Sequence, residues 1–394
     1  MASETQIVRV GLIGDWSRTP ARRHTANEWE WQHLMTPSQV AQTVHIPTLN
    51  NFNELFKITY LCDVSPQALR HCASKVAGDA PRLTKDAKEL CSSPEVDVVF
   101  IINSTEYHVP HATLALEHGK TAFIEKPMAM NNRDAHLLLD TEAKSKGRVM
   151  VGYMRRYATA FIEAVKEIGG VEAVTYARVR DIIGKNRFFV DQSGTFPKKF
   201  TDYSAEDGQD LKARAQDLAE QGLSIDAGVP VTKESETMWS LLGSLGSHDL
   251  SVMREALGMP ERVLGCHLDP TKPFWTVLFK YPGFPVLYES GIDDIPRFDA
   301  HLEVYTKDKQ VTVQYDTPYV KGLPVTMTVR ENVDGAYVER LVRETYEDPY
   351  TLEYKELYAL VTEGKPVKTT VRDAVNDLKI FRMIMEAGRD QFEK

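Results

Sequence analysis

VRVGLIGDWSRTPARRH, Val8–His24, opens as an apolar strand running into glycines and then departs from the pattern that such an opening requires. A strand feeding a glycine turn and a helix is the entry to a nucleotide-binding βαβ unit, in which G-x-G-x-x-G spacing lets the backbone approach a pyrophosphate. Counted from Gly14, the second and third glycines would fall where the chain has Trp16 and Thr19. Trp16 denies the close backbone approach that glycine permits, and Asp15 adds negative charge beside it. Asp63, which closes the next apolar run, stands 49 positions after Gly14, against roughly 20 in the unmodified fingerprint. The interval Ser17–Val44 therefore reads as an insertion into the phosphate loop. Its Arg18, Arg22 and Arg23 are candidates to replace the lost backbone contacts, and its Trp29 and Trp31 to cover a cofactor or pack the loop down.

Working outward, strand candidates at Ile7–Ile13, Lys57–Cys62, Val96–Asn103, Thr121–Ile124 and Val149–Tyr153 alternate with helical spacing after Ser65-Pro66 and over Val109–His118 and Asn132–Lys146. Apolar strands between helices predict a parallel sheet covered on both faces. Beyond a helical Phe161–Ile168 the texture changes. Val171–Ile182, Arg262–Leu268, Phe274–Tyr281, Pro285–Glu289, His301–Thr306, Gln310–Tyr315 and Pro324–Arg330 are strand-like, several with apolar and polar residues alternating, which predicts a half-exposed antiparallel sheet. Arg187–Ser240 fits neither half: it is largely polar, with one helix expected from about Ala205 to Gln221 after Ser204 as a cap, the pattern of a lid or binding loop. Two helical stretches, Thr351–Glu363 and Thr370–Phe392, close the chain.

A formal net charge of −9 and the lack of any basic patch argue against nucleic-acid or anionic-membrane partners and leave a small molecule as the expected one. Cys62, Cys72, Cys91 and Cys266 form neither a C-x-x-C pair nor a metal spacing, so free thiols in a reducing compartment and no metal site are expected. The opening MASETQIVRVGLIG lacks the basic and apolar regions of a signal peptide, and no apolar run approaches the 18 residues of a membrane span, so the expected location is the cytoplasm.

Three residues carry readable chemistry. Asp63, at a strand end, can accept the ribose hydroxyls of an adenosine and would repel a 2′-phosphate, which puts NAD ahead of NADP as cofactor; a turn aspartate is the structural alternative. Lys126 in IEKP, at the end of another parallel strand, can donate to a substrate hydroxyl and set positive charge beside a developing alkoxide, with Pro127 biasing it toward an extended conformation. His248, near the start of a helix in GSLGSHDLSVMREALG, can exchange a hydroxyl proton.

These landmarks resemble the family of glucose-fructose oxidoreductase and inositol dehydrogenase, the Gfo/Idh/MocA-type NAD(P)-dependent oxidoreductases. They are GLIG at Gly11–Gly14, HIPTL at His45–Leu49, CD at Cys62–Asp63, HVPHATLALEHGK at His108–Lys120, EKP at Glu125–Pro127, GYMRRY at Gly152–Tyr157 and LGSHDLSVMREALG at Leu245–Gly258. The resemblance implies an α/β fold with an N-terminal Rossmann-like parallel-sheet domain at 1–155, its insertion at about 17–44. An α/β domain with an open, mostly antiparallel sheet would follow at 156–370, with an insertion at about 187–240, and a C-terminal helix at 371–394 would brace the domain junction. It also implies catalytic roles for Lys126 and His248, and cofactor contacts from Gly11, Ile13, Gly14, Trp16, Asp63, Asn103, Ser104, His108, Glu125, Lys126 and Arg155. His108 is expected to shape the nicotinamide pocket rather than transfer protons. The family commonly has an aspartate four residues before the histidine, where this chain has Ser244, leaving Asp249, Asp226 or Asp181 to supply the charge. Tyr153, Arg155 and Arg156 are placed where they could donate to a hydroxylated or acidic substrate or brace an interface.

The expected function is hydride transfer between a nicotinamide cofactor and a sugar, cyclitol or related hydroxylated molecule. Two alternatives stand beside it: a lyase, epimerase or glycosidase-like reaction on tightly bound NAD without net oxidation, and a non-catalytic scaffold or sensor. An open sheet face would bring copies together as a homodimer or homotetramer.

Overall fold

A computed structural model of the chain describes residues 6–14, 40–269, 272 and 274–393. Trp16 and the arginines and tryptophans of the expected phosphate-loop insertion lie outside them. The described chain divides into two compact units: Met1–Gly152 with Ser193–Leu218 and Glu353–Val375, and Tyr153–Gln192 with Ala219–Leu352 and Asn376–Lys394.

The first unit is built on β1 (Val8–Gly14), β2 (Phe56–Cys62), β3 (Arg82–Thr84), β4 (Val98–Ile102), β5 (Thr121–Glu125) and β6 (Val149–Gly152). All pair in parallel in the order β3-β2-β1-β4-β5-β6, the doubly wound arrangement that binds nucleotides outside the carboxyl ends of its strands, where the winding reverses. Helices cover both faces, so β4 is buried at every position and must be apolar throughout, as VVFII is. α1 (Ile46–Asn51) continues a π turn at Ala41–His45, and residues 40–45 are all buried. The end of the expected insertion is thus part of the first crossover helix. α2 (Pro66–Ala73) is capped by Ser65, whose Oγ accepts from Ala68 N, and α3 (Ala87–Ser92) by Asp86, which accepts from Lys88 N. α4 (His108–Glu117) and α5 (Asn132–Lys144) complete the layer. β3 and α3 escaped the sequence reading because three and six residues are too few to show a period.

The second unit holds an eight-stranded sheet. It comprises β7 (Tyr176–Gly184), β8 (Arg262–His267), β9 (Phe274–Lys280), β10 (Pro285–Asp293), β11 (Phe298–Tyr305), β12 (Lys309–Tyr315), β13 (Thr326–Val333) and β14 (Ala336–Val342). Their order is β14-β13-β12-β11-β7-β10-β9-β8, and only the central β7–β10 pair is parallel. α6 (Thr159–Ile168) packs on β12 and β13, and α8 (Ser247–Leu257), which follows α7 (Lys233–Leu241), packs on β7 and β11. Coverage of one face explains the strict alternation along β9, where Trp275, Val277 and Phe279 are buried and the residues between them are exposed. No helix among the described residues is long and apolar enough to cross a membrane.

Candidate functional site

The carboxyl ends of β1, β2 and β4 border an open cleft of about 170 Å³, to which Ile13, Gly14, Asp63 and Asn103 all contribute. Asp63 is buried at the end of β2; its Oδ1 accepts from Ser65 N at 2.6 Å, and its own N donates to Thr84 O at 3.2 Å. These bonds fix the backbone on both sides of the carboxylate, so it faces the cleft without a flexible stem. Gly11 also has a packing role. A Cβ there would meet Leu90 Cδ2 at 2.6 Å, so its lack of a side chain lets α3 close on β1.

Asn103 lies one residue past β4 and donates from Nδ2 to His111 Nδ1 at 2.7 Å. Burial, with the nearby Arg214 and His108, pushes the His111 pKa down to about 4, so its ring is neutral at physiological pH and accepts at Nδ1. Asn103 Oδ1 and the hydroxyl of Ser104 are then buried without a hydrogen-bond partner among the described residues. Orphaned polar atoms at a strand end, one of them on the cleft-lining Asn103 near a fixed carboxylate, are the groups that a nucleotide's hydroxyls and amides would satisfy. The residues present fit a bound dinucleotide.

Next to the cleft residues, the turn after β5 is held from behind. His108 contacts the carbonyl oxygens of Pro127 at 2.7 Å through Nδ1 and Asn103 at 3.0 Å through Nε2, tying the end of β4 to the Lys126-Pro127 turn. Glu125 is buried and tied to its own turn and to the first crossover helix. Its Oε2 accepts from Lys126 N at 3.1 Å, and its Oε1 lies 3.0 Å from His45 Nε2, whose Nδ1 meets Tyr354 Oη at 2.5 Å. Burial raises the Glu125 pKa, but the hydrogen bond and charge of His45 and the proximity of Lys126 outweigh it and leave the carboxyl below its ordinary value. Glu353 is buried as well, makes no hydrogen bond through either oxygen among the described residues, and is held well above the ordinary range by burial and by Glu125. The sequence reading used His45 only as a landmark and missed Glu353 and Tyr354, since nothing local links a residue to one 309 positions away. His111, which the sequence does not single out, lines the cleft.

His248 lies in the second unit, buried near the start of α8, and Ser244 falls in the π turn Leu242–Gly246 before it. Of the carboxylates expected to support it, Asp181 and Asp249 are both engaged by Arg155, Asp181 at 3.1 Å through Nη2 and Asp249 through Nη1. Arg155 is itself buried, its guanidinium 5.1 Å from the Tyr315 ring centre. It therefore serves as an internal counter-ion to both carboxylates. Burial and the neighbouring Asp181 push the Asp249 pKa up against the pull of Arg155. The flanking residues are committed likewise, Tyr153 Oη donating to Asp377 at 2.5 Å and Arg156 pairing with Glu255.

Residues 38–153 match the GFO_IDH_MocA family, described as the oxidoreductase family with NAD-binding Rossmann fold. Over 129 residues the chain is 32% identical to inositol 2-dehydrogenase of Agrobacterium fabrum, a match covering 32% of this chain and 38% of that protein. Over 121 residues it is 33% identical to glycosyl hydrolase family 109 protein 1 of Phocaeicola vulgatus, covering 29% of this chain and 24% of that one. The chain thus spans well under half the length of these relatives. In structure it is similar to aldose-aldose oxidoreductase of Caulobacter crescentus complexed with glycerol, with a TM-score of 0.67 at 15% identity and 98% of each chain covered. Residues 38–153 thus resemble the NAD-binding Rossmann domain of that family, and the whole chain is similar in fold to the C. crescentus protein.

Proposed function

We propose that this protein is an NAD(H)-dependent oxidoreductase acting on a sugar, cyclitol or related hydroxylated molecule. The observation that carries this reading is the buried Asp63 carboxylate in the cleft: it suits the two free hydroxyls of an NAD ribose and opposes the 2′-phosphate of NADP. Gly14, Asp63 and Asn103 would hold the dinucleotide, with Ile13 against it and the Ser104 hydroxyl beside it. Bound nicotinamide supplies the hydride donor or acceptor. Lys126 donates to the substrate oxygen and places positive charge beside it, while His248 takes or returns that oxygen's proton. His108 and Glu125 act behind Lys126, fixing the backbone that carries it. The A. fabrum and C. crescentus relatives, named for a cyclitol and for aldoses, support this substrate class.

Titrating the folded protein with NADH and NADPH while following nicotinamide fluorescence tests the reading. Saturable binding of NADH, tighter than NADPH, is expected; no response to either overturns it. Ser244, and the capture of Asp181 and Asp249 by Arg155, favour a second reading, in which the hydride returns to the same molecule and no net oxidation occurs. Stoichiometric NADH release from a simple polyol excludes that second reading.

A further inference from the structure

The cleft has a wall that no Rossmann domain supplies from its own βα units. Tyr203, Asp207, Gly208, Asp210 and Leu211 line it together with Asp63, and all five come from the segment Ser193–Leu218, far along the chain yet part of the first unit. This segment is docked at several points. Asp202 accepts from Gln67 N at 3.0 Å and from the Ser65 hydroxyl at the start of α2. The side-chain amide of Gln42 pairs with both backbone groups of Lys198 at 2.9 Å. Asp210 accepts from Tyr107 Oη at 2.7 Å, and Arg214 lies 4.8 Å over the same ring. Tyr107 in turn stacks on His111, the residue that orients Asn103.

Within this wall Gly208 is out of place by every local criterion. It is the fourth residue of the helix Ala205–Ala219, AEDGQDLKARAQDLA, whose other positions are mostly good helix formers; its N donates to Ser204 O, and alanine is a better helix former than glycine there. Its backbone is not in the left-handed region that would call for glycine. A Cβ there would find Tyr203 Cε2 at 3.7 Å, an ordinary contact, so packing does not require glycine either. What the missing side chain leaves is bare helix backbone on the cleft wall, beside the Tyr203 ring.

We infer that the inserted segment is the outer wall of the dinucleotide site and that Gly208 provides the surface against which the adenosine end of the dinucleotide lies. The inference rests on the proposed binding of NAD(H). The assignment to the adenosine end follows from the company Gly208 keeps. Asp63 and Val64 past β2, with Lys85 and Ala87 past β3, line the same cleft, and they belong to the half of a doubly wound sheet that takes the adenosine mononucleotide. Lys126 lies past β5, in the other half.

The test compares wild-type protein with Gly208→Ala and Gly208→Leu. NADH binding is followed by fluorescence, ADP-ribose by competition, and the ligand-free fold by thermal melting. Both variants are expected to melt at or above the wild-type temperature. Affinity should fall stepwise, Gly208→Leu losing about tenfold or more for NADH and ADP-ribose alike, the scale of a steric conflict of a few methylenes. Wild-type affinity in Gly208→Leu, or in a stable Gly208→Ala should the leucine variant melt early, overturns the wall. Loss for NADH without loss for ADP-ribose overturns the adenosine assignment. Failure of the wild-type protein to bind either ligand overturns the functional reading and this inference together.

Discussion

Arg155 holds two buried carboxylates at once, Asp249 through Nη1 and Asp181 through Nη2. All three side chains are nearly fully buried, so the cluster survives only because each charge has its partner. Removing the guanidinium leaves two carboxylates facing each other out of water. Arg155→Ala is expected to destabilise the protein by about 3–5 kcal/mol in denaturant unfolding. NADH affinity of the fraction still folded should be little changed. Lost affinity with intact stability would return Arg155 to the cofactor site.

Glu353 makes stability depend on pH in the opposite sense to a paired carboxylate. Burial and Glu125 raise its pKa in the folded state, so the folded chain holds this proton more tightly than the unfolded one. Its contribution is fully present below the unfolded value of about 4.3 and is lost as pH rises through the folded value. Glu353→Gln, which carries no titrating proton, should therefore melt close to wild type at about pH 5 and above it at about pH 8. A constant difference between the two pH values would show that Glu353 does not hold its proton in the folded state.

The Lys126-Pro127 turn is fixed by the contact of His108 with Pro127 O and by the bond from Lys126 N to Glu125. The proposed role of the Lys126 ammonium is confined to the reacting oxygen. Lys126→Met should lower kcat by about 10²–10⁴-fold, the range for losing a group that acts in the transition state, with NADH affinity nearly unchanged. A variant that keeps its rate removes Lys126 from the chemistry.

The second unit's sheet exposes apolar side chains at both of its edges. Leu264, Phe274 and Leu278 on β8 and β9 are 48%, 38% and 37% exposed, and Tyr337 and Leu341 on β14 are more so. A second copy of the chain is the expected cover, and sedimentation should give a dimer or tetramer. Leu278→Lys should shift that equilibrium toward monomer; a wild-type monomer refutes the association.

The sequence by itself determined the two sheets. VVFII is apolar throughout, and IVRVGLI is apolar but for Arg9, because a parallel strand between helical layers has no wet face, and alternation in FWTVLFK marks a strand with one wet face, so the change of period locates the change of architecture. Asp63, Asn103, Gly14 and Ile13 were legible for a related reason: a residue at the carboxyl end of a parallel strand lies at the binding edge wherever the rest of the chain goes. Tertiary structure alone decided which charges remain available. Arg155, Glu125 and Asp249 read as unpaired charges along the chain, yet each meets a partner distant in sequence: Asp181 and Asp249 for Arg155, His45 for Glu125. It also decided that Ser193–Leu218 belongs with the nucleotide-binding sheet rather than with the strands on either side of it in sequence. Strand and helix periods record which face of an element is buried, but not which distant side chain arrives to neutralise a charge or close a cleft.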